Sequence, residues 1–320
     1  MHENYSASPR IELKPYVRAF GQRRLAEDSA ELVEPVLAYL DQILNFEFGV
    51  RPIADLGDAS RFTINRLSIV GSSAYRPFQF ASLRRGRVFR DILPAHGFLA
   101  TLSMPTSSLV NQDFDGYAVL GAEGHRLWNR MAETATFAER VKVAEAYLLR
   151  RALNAERNTS IMNAALCMFR ANGSVRLNDV ASHLSLGMRQ FERNFLSEIG
   201  LSPKLFSRVA RFQTALETRI RQQDIRWANL ANEFGYHDQM HMIKDFQKLS
   251  GLTPEGLLSR IGDVRPPAEI DGVEESRNLT RVMKAVTDHR LIIHSLTGTF
   301  ARTKHLSFVG ARRLGVLRSL

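Results

Sequence analysis

Cysteine occurs once in the 320 residues, at Cys167, so the chain can form no internal disulfide and has no thiol cluster for structural zinc or an iron–sulfur centre. No stretch approaches the roughly 18 uninterrupted apolar residues of a membrane span. The opening MHENYSASPRIELKPYV lacks the basic region and apolar core of a secretory signal. These absences lead to the expectation of a cytoplasmic chain with no membrane contact. Catalytic signatures are as scarce: neither Gly-x-Ser-x-Gly nor Gly-x-x-x-x-Gly-Lys-[Ser/Thr] occurs. His96 and His125 are isolated, and no His-x-His cluster marks a metal-dependent barrel enzyme. His237 and His241 stand at the i, i+4 spacing of zinc-binding helices, but no Cys, third His or neighbouring Glu completes a ligand set. No catalytic residue, cofactor or metal is expected, and the chain is read as something other than an enzyme.

Basic charge, by contrast, is plentiful. Forty-three Lys+Arg against 33 Asp+Glu give +10, which favours a polyanionic partner such as nucleic acid or an acidic lipid surface. The excess is spread along the chain, so charge alone does not locate a site. With 44% apolar and 24% charged residues the composition is that of a globular protein, long enough for two cores.

Residues 1–155 mix strand and helix signals. Arg61–Val70 before Gly71-Ser72-Ser73, and Arg87–Leu93 before Pro94, read as strands. Leu32–Leu44 and Phe137–Leu153 read as helices, the latter with Val141, Ala144, Leu148 and Ala152 on one face. Arg84, Arg85, Arg87 and Arg90 read as a solvated basic hairpin, with an anionic effector or a DNA phosphate as the functional alternative. From 156 to 262 the chain reads as all-α, with Met162, Leu166 and Phe169 as core. Residues 263–320, opening near Pro266-Pro267 and ending in a basic run, read as a loosely ordered extension.

The helical half repeats itself. Arg176-Leu177-Asn178-Asp179-Val180-Ala181 aligns on Arg226-Trp227-Ala228-Asn229-Leu230-Ala231. After one extra residue, Phe191, Phe195 and Gly200-Leu201-Ser202-Pro203 align on Met242, Phe246 and Gly251-Leu252-Thr253-Pro254. Each unit makes sense as two helices meeting at a corner. Leu177, Val180, Ala181 and Leu184 supply one inward stripe, and Phe191 with Phe195 the facing one. Ala181 and Ala231 suit a close crossing of helix axes. Gly235 can end the first helix of its unit and Asp238 can cap the second, while Ser185 and Gly187 do so less ideally. Gly-Leu-[Ser/Thr]-Pro is a helix stop, an N-cap and a proline at the first helical position. Lys204–Gln222 between the units reads as one helix with Leu205, Val209, Phe212, Leu216 and Ile220 along one face. Nineteen such residues span about 28 Å, near the roughly 34 Å between successive major grooves on one side of B-DNA.

On these features, and on Asn232-Glu233-Phe234-Gly235-Tyr236 followed by His237-Asp238-Gln239, residues 174–262 resemble the paired helix-turn-helix DNA-binding domain of AraC-type transcription regulators. The stretch Ile92–Pro105 is similar to the punctuated segment of members whose amino-terminal domain is a small β-barrel sensor. The resemblance implies a sequence-specific regulator placing two recognition helices in adjacent major-groove segments. The fold class expected is an α+β N-terminal domain, small β-barrel-like with flanking helices, plus an all-α C-terminal domain of two helix-turn-helix units joined by a long linker helix. Double-stranded DNA is the expected partner. A small-molecule effector in 1–155, RNA polymerase and a second copy of the chain are further expectations. Helix periodicity chooses the readers: Arg189, Glu192 and Arg193 in the first unit, Gln239, His241 and Lys244 in the second. Arg bonds guanine, Gln adenine and Glu cytosine in the major groove, and Lys244 is suited to phosphate. Arg176 and Arg226 depart from the family by standing where a capping Ser is usual, and Met240 and Ile243 make the second recognition helix unusually apolar. The rival reading is a small-molecule-binding or enzymatic β-barrel protein whose helical half is a protein-interaction bundle.

Overall fold

The computed structural model describes residues 2–25, 32–55, 61–74, 78–82, 86–153 and 159–262. Arg84, Arg85 and the 263–320 extension lie outside the described residues.

Among the described residues the amino-terminal half holds ten strands in two antiparallel sheets. In chain order they are β1 (His2–Ala7), β2 (Ala19–Leu25), β3 (Leu32–Val36), β4 (Gln42–Gly49), β5 (Ile53–Asp55), β6 (Arg61–Thr63), β7 (Leu67–Val70), β8 (Phe78–Ser82), β9 (Gly86–Leu93) and β10 (Asp113–Asp115). One sheet has the order β1-β2-β9-β4-β7-β10 and the other β3-β8-β5-β6. Three helices flank them: α1 (Ala95–Leu102), α2 (Gly116–Glu133) and α3 (Phe137–Ala152). Alternation decides the two faces of the larger sheet. Phe20, Leu44, Phe46, Leu67, Ile69, Phe89 and Leu93 form one buried cluster with Leu127 and Met131 of α2 and Ala144 and Leu148 of α3. α3 begins at a reciprocal cap in which Thr136 and Glu139 each satisfy the other's backbone N–H.

Three expectations about this half are corrected. Arg61–Val70 is not one strand but two, β6 and β7, which belong to different sheets. Leu32–Leu44 is not a helix but two strands, β3 and β4. Pro35 would break a helix interior, whereas β3 is an edge strand of its sheet, the place in a sheet where proline is tolerated. Arg90 does not belong to a solvated hairpin: it is 2% exposed, and its Nε donates to Asn45 Oδ1 at 3.1 Å.

The second half is helical: α4 (Ser160–Arg170), α5 (Leu177–His183), α6 (Met188–Ile199), α7 (Pro203–Arg221), α8 (Trp227–Glu233), α9 (Gln239–Ser250) and α10 (Pro254–Gly262). Its core gathers Met162 and Met168 from α4, Phe191 and Phe195 from α6, Val209, Phe212 and Leu216 from α7, and Met242 and Phe246 from α9. Leu37, Ala38, Leu40 and Ala74 of the β half belong to the same cluster. Among the described residues no helix is long and apolar enough to cross a membrane.

Candidate nucleic-acid interface

The two repeats fold alike. In the first, α5 buries Val180 and Ala181, the chain turns, and α6 returns with Phe191, Phe195 and Ile199 inward. In the second, α8 buries Trp227, Leu230 and Ala231, and α9 buries Met242, Asp245, Phe246, Leu249 and Ser250. Each corner closes with the same backbone bond: Leu186 N–H donates to Ala181 O and Tyr236 N–H to Ala231 O, both at 2.9 Å. The turn residue is left-handed in both, Gly235 at φ +70° and Ser185 at φ +56°, a conformation a side chain adopts at a cost. Phe195 packs edge-on against Phe191 at 5.5 Å and Phe206 of α7 at 5.4 Å. Phe246 does the same with Phe212 at 4.7 Å and Trp227 at 5.3 Å.

Caps separate the units. The Asp238 carboxylate accepts the His241 N–H at 2.6 Å, and that bond, helped by His237, holds its pKa below the usual carboxylate range. Gly187 caps α6 with no side-chain bond. Arg176 and Arg226 are N-caps whose side chains make no capping bond, as expected of a residue with no acceptor.

With the aromatic stripes inward, all six expected readers stand in solvent: Arg189, Glu192 and Arg193 on α6, Gln239, His241 and Lys244 on α9. Among the described residues no side-chain hydrogen bond or ion pair occupies Arg189, Glu192, Arg193, Gln239 or Lys244. The His241 ring lies edge-on to Tyr236 at 5.6 Å. The structure thus presents two helix faces of free donors and acceptors, each on a helix fixed from behind.

Several fixing residues carried no local sequence signal. Arg208 of α7 donates to buried Asp245 of α9 at 2.7 Å, tying the linker helix to α9. Asp245 aligns on Asn194 of the first unit, so the repeat itself gives no hint of an ion pair there. Arg211 donates to Gly235 O at 3.0 Å and stacks over Tyr236. The Ser174 hydroxyl donates to Phe234 O at 3.2 Å, bracing one unit on the turn of the other. The β half holds both α6 and α9 by their far ends. Ala38 N–H donates to Leu249 O of α9 at 2.9 Å, and the Thr106 hydroxyl donates to Glu198 O of α6 at 2.8 Å. At the same seam Arg18 pairs with Asp41 at 2.7 Å and lies over the Phe169 ring.

Residues 180–260 match the helix-turn-helix domain family. The chain is also similar to solved structures of ToxT from Vibrio cholerae. A substituted apo form is 8% identical over 79% of this chain and 99% of its own, with a TM-score of 0.48. Another crystal structure of ToxT is 11% identical over 82% and 98%, with a TM-score of 0.44. A form bound to an unsaturated fatty acid is 10% identical over 84% and 97%, also at 0.44. No curated protein matches the chain.

Proposed function

We propose that this chain, whose residues 180–260 match a helix-turn-helix domain, is a DNA-binding transcription regulator of AraC type: α6 and α9 enter consecutive major-groove segments on one side of the duplex, spaced by the rod of α7. The observation that carries this is the pair of solvent-facing helix surfaces, each backed by a buried stripe, Phe191, Phe195 and Ile199 behind α6 and Met242, Phe246 and Leu249 behind α9. Arg189 and Arg193 bond guanine edges, Glu192 accepts from cytosine, Gln239 and His241 bond bases under α9, and Lys244 meets phosphate. The action is binding, without chemistry on the DNA.

The division of labour follows the chain: 1–155 senses or assembles, 156–262 binds DNA, and 263–320 is a basic extension. The sheet face turned from the helices supports the first role, because Arg23, Asn45, Glu47, Ser68 and Arg90 are buried there. Asn45 bridges Arg90 and Glu47 in one network. Together with Ile43, Val88 and Ile92, buried on the same face, these few polar groups suit a small-molecule effector with both apolar and polar parts. Its occupancy would reach DNA through the bonds from Ala38 and Thr106 to the ends of α9 and α6. A second copy of the chain and RNA polymerase are further partners of this reading.

A salt series tests it. Affinity for duplex DNA, followed by fluorescence anisotropy, should fall linearly and steeply on a log–log plot as phosphate contacts are replaced by salt ions. Absence of duplex affinity at low salt would overturn the reading.

A further inference from the structure

The repeat lets the two recognition helices be compared position by position, and their outward chemistry differs. Arg189 of α6 aligns on Met240 of α9, Glu192 on Ile243 and Arg193 on Lys244. Met188, at the place of Gln239, packs against the core. Where the first unit shows water an Arg and a Glu, the second shows a Met and an Ile. Met240 is 57% exposed, among the most exposed large apolar side chains described. Ile243 is only half-buried and does not pack against the hydrophobic core as Met188 does.

Three apart on a helix, Met240 and Ile243 share one face. That face is continuous with exposed Gln239, His241 and Lys244, so the apolar pair lies within the DNA-reading surface and is flanked by cationic and hydrogen-bonding groups. The one apolar feature a base pair offers in the major groove is the thymine C5-methyl. A flexible thioether and a branched aliphatic chain match it, and neither can bond the O6 and N7 of guanine.

We infer that α9 reads thymine methyl groups through Met240 and Ile243, so that the two units take chemically different half-segments: guanine-bearing under α6, thymine-bearing under α9. This rests on the DNA-reading proposal above and names the specificity of its second unit.

The test begins with duplexes selected by the full chain from a random pool, in which each thymine is then replaced singly by uracil, deleting only the methyl. Burying one such group corresponds to about a fourfold change in affinity. The expected result is a loss of that size at one or two thymines, abolished in Met240→Ala or Ile243→Ala and retained in Arg193→Ala. Met240→Ala removes a solvent-facing side chain from a helix and leaves the fold intact, so its result is readable even where Ile243→Ala weakens packing. Equal uracil losses in the wild type and both α9 variants, or no loss at any thymine, would overturn the inference while leaving DNA binding established. Failure to select any duplex would remove the underlying reading and the inference with it.

Discussion

Arg193 stands two positions before the buried Phe195, so the packing that hides one side chain aims the other outward. A bidentate contact to guanine contributes about 1–3 kcal/mol of discrimination. Arg193→Ala should therefore weaken binding to a selected duplex by about tenfold or more and relax the preference at one base position, both read by titrating a set of single-base variants. Unchanged affinity and preference would remove Arg193 from the readers. Asp113 illustrates the opposite case, a charged residue turned inward. Burial pushes its carboxyl up to about 7 from an ordinary 3.8, with Glu47 and Asp115 adding to the rise and a Ser68 hydrogen bond opposing it. The folded protein thus holds this proton more tightly than the unfolded chain does. Its stabilising contribution is complete below the unfolded value and is lost as pH rises through about 7. Asp113→Asn should remain neutral throughout, so its melting temperature should gain on the wild type between about pH 5 and about pH 8. Parallel melting curves would contradict the burial argument.

At the scale of elements, the two corners differ in how comfortably they turn. Gly235 adopts its left-handed conformation without a Cβ, whereas Ser185 carries one at φ +56°. Ser185→Gly should stabilise the protein by up to about 1 kcal/mol, measured as a raised denaturation midpoint with unchanged slope. A lowered midpoint would mean that the Ser185 side chain contributes something the turn needs. Punctuation of this kind made the helical half legible in the sequence. Duplicated Ala181 and Ala231, paired inward aromatics and Gly-Leu-[Ser/Thr]-Pro each have a local cause, and the repeat checks one unit against the other. The strands β9 and β7 were legible for the same reason, through alternation and bounding turns. β3 and β4 were not, because apolar residues between Leu32 and Leu44 fall at helical spacing while the decisive fact, that Pro35 lies on a sheet edge, is set by pairing with the distant β8. Outward faces of α6 and α9 followed from periodicity. Arg208–Asp245 and the buried Arg90 did not, since both depend on which distant surfaces meet.

For the molecule as a whole, the structure joins a sheet domain, apolar on the face toward its helices, to the helical double module through contacts at the far ends of α6 and α9. Gly200, at φ +82°, shows how close that seam is: a Cβ there would come within 2.5 Å of Val110 and 2.7 Å of the Ser107 backbone. The angle and spacing of α6 and α9 are therefore fixed by α7 between them and by the β half behind them. That fixed geometry is the central claim, and an ethylation-interference footprint of the full chain on a selected duplex tests it most directly, because it reports the phosphates contacted at each groove whatever bases lie between them. Two clusters of interference about one helical turn apart on the same side of the duplex are the predicted result. A single cluster, or two on opposite sides, would contradict it.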